Sequence, residues 1–168
     1  MSENSQTPIP EIFIPKQMVE RLALGEITLA QFVGLDRNTL YAIAQIAHYL
    51  LDSGKVERAR TIYEGLVSAD PFDSVFHCHL GAACQKAGDI DKAFDAYSKA
   101  LKYNYANVEA LAGRGEIHFT RGNLTAAVTD LQQAIELDPT GKRPASIRAR
   151  AIAIAIGELA RQVSTSGN

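Results

Sequence analysis

A period of 34 residues runs through the middle of this chain and limits what it can become. Gly54, Gly88 and Gly122 stand at one phase of it, and Val56, Ile90 and Leu124 hold the apolar position just after them. Ala59, Ala93 and Ala127 come five residues beyond each glycine, and Tyr63, Tyr97 and Leu131 four residues later again. Such self-similarity marks a helical-hairpin array, here three units laid end to end over 40–73, 74–107 and 108–141. Each unit is a helix, a tight turn and a second helix. The glycine after the first helix takes the left-handed backbone conformation that strains other residues. The small alanine marks a close approach of two helices, and the tyrosine or leucine fills the space beside it. One hairpin cannot bury its apolar face alone, so neighbours must stack, and function lies on the surface that the stack presents.

This spacing resembles the tetratricopeptide repeat. The expected fold is all-α: three tetratricopeptide hairpins in a right-handed superhelix, with N-terminal helices and a C-terminal capping helix. The chain has 168 residues, enough for one domain with a core, and 46% of them are apolar. A net charge of −2 provides no basic field for nucleic acid and no polybasic run for anionic lipid. No apolar stretch reaches the roughly 18–20 residues that span a bilayer. The first ten residues lack the basic and apolar regions of a signal peptide. Cys78 and Cys84 lie six apart in one helix and on different faces, which disfavours a disulfide between them. These features fit a reduced, intracellular protein.

Residues 1–15 read as a flexible, proline-containing lead-in, since Pro8, Pro10 and Pro15 forbid a regular helix. Residues 16–39 read as an N-terminal helical region: a short helix to Leu24 and Gly25, then one capped by Thr28 and ending at Gly34. Asp36, Asp73 or Ser74, Asp89 and Asn107 are placed to start the repeat helices. Asp70-Pro71 and Asp138-Pro139 break them. The stretch 144–163 alternates Ile152, Ile154 and Ile156 with alanines, a strand-like pattern. A lone strand has no partner, and alanine favours helix, so this stretch reads as the capping helix.

A narrower resemblance lies in Asp70-Pro71-Phe72-Asp73-Ser74 followed by Leu80-Gly81-Ala82-Ala83-Cys84-Gln85, with Thr39-Leu40-Tyr41 and Ser53-Gly54-Lys55 upstream. This pattern is similar to the class II chaperones of type III secretion translocators, the LcrH/SycD-like family. The resemblance implies a bacterial cytoplasmic chaperone that holds a translocator before export. It implies a client segment of the form Pro-x-Leu-x-x-Pro bound extended in the concave groove. It also implies a homodimer through the N-terminal helical region, where Met18, Val19, Leu22 and Leu24 supply apolar side chains. Pro10, Ile12 and Pro15 have a related spacing, and this segment is a candidate pseudo-ligand for the groove.

In stacked hairpins the first helix of each unit lines the concave face, through positions 2, 5, 9 and 12 of the repeat. These are Tyr41, Ala44, His48 and Leu51, then Val75, Cys78, Ala82 and Gln85, then Glu109, Ala112, Glu116 and Phe119. Small residues leave room, Tyr41, Leu51, Val75 and Phe119 offer apolar contact, and His48 and Gln85 can bond a peptide backbone. Grip on an acidic C-terminal tail is not expected. The positions that need Lys, Asn and Arg hold Ala44, His48 and Glu109, and Glu109 and Glu116 repel such a tail.

No catalytic chemistry is legible. His77, Cys78 and His79 are adjacent on a helix, where neighbours point about 100° apart and cannot converge on one ion. His118 and Cys84 share a core-facing column, while Cys78 faces the groove with no basic neighbour to activate it. No phosphate loop, dinucleotide fingerprint or catalytic triad is present. No metal, cofactor, nucleic acid or membrane partner is expected. The leading function is a chaperone-like module that binds an extended apolar segment of a client protein. The alternative is a scaffold that joins folded proteins in a bacterial signalling or motility complex.

Overall fold

The computed structural model describes the backbone of residues 14–166 and the side chains of residues 14–162. Among these, every regular element is a helix: α1 (Lys16–Ala23), α2 (Leu29–Phe32), α3 (Arg37–Asp52), α4 (Val56–Ala69), α5 (Ser74–Lys86), α6 (Ile90–Tyr103), α7 (Val108–Thr120), α8 (Leu124–Leu137) and α9 (Pro144–Ser166). Three hairpins, α3/α4, α5/α6 and α7/α8, stack in chain order, and α9 closes the stack on α7 and α8. The first helices α3, α5, α7 and α9 lie side by side. Helix α1 packs only on α2 among the described residues.

Local chemistry sets the helix limits. Gly54, Gly88 and Gly122 turn each hairpin at φ 75°, 82° and 76°, the left-handed region expected of them. Thr28 and Gln31 form a reciprocal capping box on α2, and the Asp36 carboxylate accepts from Thr39 N–H at 2.7 Å at the start of α3. That start falls at Arg37, three residues before Leu40, because Asp36 is the cap. Asp73 and Asn107 cap α5 and α7. At the third junction the equivalent position is Gly141, which has no side chain to cap with. Asp138 does the work instead, accepting from Arg143 N–H at 2.7 Å, Lys142 N–H at 3.2 Å and the Ser146 hydroxyl at 2.6 Å.

The caps also tie neighbouring units together. One oxygen of Asp73 holds the start of α5, and the other accepts from Tyr41 Oη at 2.9 Å and Arg37 Nη2 at 3.2 Å on α3. Asn107 Nδ2 donates to Ser74 Oγ at 2.9 Å, which ties the cap of α7 to the first residue of α5. Across α7 and α8, Arg114 forks onto the buried Asp130 at 2.7 and 2.8 Å.

Two apolar cores meet at α5. One joins Leu40, Ala47, Ala59, Tyr63, Leu66 and Phe76. The other joins Cys84, Ala93, Tyr97, Leu111, Ile117, Leu131 and, from α9, Ala145, Ala149 and Ile156. The Ala59, Ala93 and Ala127 column is fully buried, as close helix approach requires. The alternating isoleucines of α9 are sorted by helical geometry: Ile156 is buried, Ile152 packs on the core, and Ile154 faces outward.

Candidate groove on the concave face

A cavity of about 350 Å³ opens between the first helices of the hairpins. Five of the twelve expected groove residues line it: His48 and Leu51 from α3, Ala82 and Gln85 from α5, and Glu116 from α7. Five further residues complete the lining: Asp52, His79, Lys86, Tyr97 and Arg148.

The floor is aromatic at one end. The His79 ring stacks on Tyr63, centroids 5.3 Å apart and planes 11° from parallel, and the tilted His48 ring lies 5.7 Å from His79. Tyr63 is fully buried and donates its hydroxyl to the carbonyl of Ala44 at 3.3 Å. Burial pushes the Tyr63 phenol up to about 12, so it stays a donor at neutral pH. Burial also pushes His79 below the ordinary histidine value, and the neighbouring His48 adds to this. Toward α9 the floor turns polar. Tyr97 Oη donates to Gln85 Oε1 at 2.9 Å, and Lys86, Glu116 and Arg148 stand around that pair.

The remaining seven expected positions do not line this cavity. Ala44, Cys78 and Ala112 are buried between helices. Cys78 therefore does not face the groove as a thiol open to reagents. It belongs to the second core, and burial pushes its thiol up to about 12. Tyr41 is engaged with Asp73 and packs on Phe76 at 5.2 Å. Glu109 accepts from Arg143 of the α8–α9 connection through both oxygens at 3.2 Å. Its charge is thus matched within the chain, and with Lys86 and Arg148 at the cavity, the expected repulsion of acidic groups rests on Glu116 and Asp52 alone. Phe119 packs on the second core, where α9 supplies Ile152 and Ile156. Val75 is half-buried outside the cavity lining. Pro15 caps α1, its carbonyl accepting from Met18 N–H at 2.9 Å, whereas Pro10 and Ile12 lie outside the described residues.

Two of the added lining residues carried a readable signal. His79 follows Cys78 by one position, and a groove wider than four columns includes it. Tyr97 belongs to the bulky column of the repeat and reaches the cavity because Gly81 and Gly113 beside it lack a β-carbon. Arg148 carries the opposite lesson. Extending the 34-residue register places Arg150 in the groove, but its guanidinium donates to the carbonyls of Asp138 and Pro139 at 2.9 and 2.8 Å. Arg148, two residues earlier on α9, lines the cavity instead.

Among the described residues no group of His, Cys, Asp and Glu is arranged to hold a metal ion. His77 bonds the carbonyl of Pro71 at 2.8 Å and stacks on Tyr103, a packing role. No helix among the described residues is long and apolar enough to cross a membrane.

Two overlapping stretches, residues 45–101 and 80–142, match the tetratricopeptide repeat family model. Low calcium response locus protein H of Yersinia pestis is 28% identical over 136 residues, covering 77% of this chain and 81% of that protein. The type III secretion chaperone SycD of Yersinia enterocolitica, solved with a peptide of the translocator YopD, superposes with a TM-score of 0.63 at 28% identity. That match covers 73% of this chain and 95% of SycD. PcrH of Pseudomonas aeruginosa, solved with the chaperone binding region of PopD, gives a TM-score of 0.66 at 25% identity, covering 77% and 97%. A mouse relative, tetratricopeptide repeat protein 14, is 39% identical over 61 residues, but the match spans only 8% of its length.

Proposed function

Because this chain belongs to the tetratricopeptide repeat family, we propose that it is a chaperone-like binding module whose concave groove holds an extended, apolar, proline-containing segment of a client protein. The observation that carries the reading is the open cavity between α3, α5 and α7, walled by the small Ala82 and floored by His79 and Leu51. An extended segment needs room for side chains and partners for its backbone, and Gln85 and His48 supply such partners. SycD binds a peptide of the translocator YopD and PcrH binds the chaperone binding region of PopD, which supports a client of the same kind. On this reading the protein works in the bacterial cytoplasm, covers aggregation-prone surface until hand-over, and performs no chemical step.

The same reading includes a homodimer. Helix α1 buries none of its residues, and Val19 and Leu24 remain exposed, so its apolar face is left for a second copy.

The test is solubility of a translocator client from the native host, co-expressed at equal stoichiometry. Wild type keeps the client in solution. Ala82→Trp, which fills the cavity from α5, lets it aggregate. A client that stays soluble with Ala82→Trp, or precipitates with wild type, removes the reading. Capture of folded partners with no effect on their solubility favours a scaffold instead.

A further inference from the structure

Two histidines share the aromatic end of the groove, and one of them, His79, is half-buried where it lines the cavity. One face of the His79 ring is sealed by the buried Tyr63, and His48 approaches to 5.7 Å. His48 Nε2 lies 3.4 Å from Asp52 Oδ2, a contact that becomes an ion pair when the imidazole is protonated. Both rings and Asp52 line the same cavity.

We propose that His79, stacked on Tyr63 beside His48, makes client binding proton-linked: the groove takes up an apolar segment while this ring is neutral and releases it on acidification. The inference rests on the groove reading above and adds its regulation.

The physical reason is desolvation. An apolar segment laid over His79 removes the water that reaches it through the cavity, and a charged imidazole loses more by this than a neutral one. A ligand that disfavours the protonated ring is itself disfavoured by protonation, by the same factor.

The charges around His79 are mixed. Helix α3 contributes His48 and Asp52, α4 contributes the neutral phenol of Tyr63, and the α5 cap contributes Asp73. Helix α7 contributes Glu109, which Arg143 matches, and Glu116, while Lys86 of α5, Tyr97 of α6 and Arg148 of α9 stand further along the cavity. Asp73 and Glu109 favour the charged ring, but burial and His48 outweigh them and hold its pKa down. The neutral form is therefore the resting state at neutral pH, and apolar occupancy extends that preference.

The experiment uses a fluorescein-labelled peptide of YopD, the translocator whose segment occupies SycD. Its affinity for the full chain is read by anisotropy from pH 7.5 to pH 5.0 at fixed ionic strength. Wild type is expected to lose affinity progressively as pH falls below the ordinary histidine range, by up to about tenfold per pH unit for one linked proton. His79→Phe keeps a ring against Tyr63 but cannot take a proton, and its loss should stay under about twofold. His79→Asn is the second variant, with far-UV circular dichroism confirming that each is folded. Equal wild-type affinity at both ends of the range overturns the proton link and leaves the groove reading intact. A full pH effect retained in both folded variants does the same. No binding by wild type at any pH removes the groove reading, and the proton link falls with it.

Discussion

Gly113 of α7 lies against Tyr97 of α6 so closely that a β-carbon at residue 113 would sit 2.4 Å from the ring Cζ. Gly81 of α5 meets the other end of the same ring, where a β-carbon would fall 2.7 Å from Cδ1. The tyrosine is wedged between two first helices, and its hydroxyl emerges in the groove on Gln85. Gly113→Ala is expected to destabilise the fold by about 1–3 kcal/mol through overpacking. Gly65→Ala, on α4 with nothing within 4 Å of the new carbon, serves as the control and should be neutral or slightly stabilising. Urea unfolding of the two variants checks the contrast. An equal effect at both positions would show that the tyrosine wedge is not the cause.

Arg114 and Asp130 join the two helices of the third hairpin, and the aspartate side chain is only 7% exposed. Its charge is tolerated because the guanidinium reaches both oxygens. Arg114→Leu leaves a buried carboxylate without its partner and should cost about 3–5 kcal/mol. The double variant Arg114→Leu, Asp130→Leu should recover much of that loss, since the desolvated charge is gone. Additive losses in the double-mutant cycle would mean that the two residues act separately.

Asp138 gives the fold an acid limit. The Ser146 hydroxyl and the Arg143 and Lys142 N–H groups lower its pKa from 3.8 to about 2. A depressed carboxylate stabilises the fold fully above the unfolded value, and that contribution fades as pH falls from about 4 toward about 2. Asp138→Asn should therefore be less stable than wild type at pH 6, with the gap closing near pH 2. Urea midpoints at pH 6, 4 and 2.5 measure it. A gap independent of pH would assign the effect to lost packing rather than to charge.

The hairpins were legible because each depends on residues that local chemistry demands. Gly54, Gly88 and Gly122 are needed at positive φ, and Asp36, Asp73 and Asn107 are needed as caps, so their spacing reports the units directly. The groove was half legible for a reason of scale. Counting four columns per helix found His48, Leu51, Ala82, Gln85 and Glu116, but the same columns hold Ala44, Cys78 and Ala112, which helix packing consumes. Which of two small residues faces a neighbour and which faces solvent depends on crossing angles that a single sequence does not carry. The part played by Arg148 was hidden for a similar reason. Arg150, which the repeat register places in the groove, is drawn off by the carbonyls of Asp138 and Pro139, and Arg148 lines the cavity in its place.

Helix α1 offers a test in which association and folding separate. It packs on α2 alone among the described residues and buries none of its own side chains. Val19 is 48% exposed and Leu24 74% exposed. An aspartate at either position meets water in the single chain, so Val19→Asp and Leu24→Asp should change monomer stability by no more than about 0.5 kcal/mol. In a homodimer built through this region the same substitutions bury an unpaired charge at the interface, which is strongly unfavourable. Sedimentation velocity should then show wild type as a dimer and the double variant as a monomer at the same concentration, with unchanged far-UV circular dichroism. A double variant that still sediments as a dimer would move the interface away from α1. A variant that loses helical signal would mean that α1 supports the fold, contrary to its exposure here.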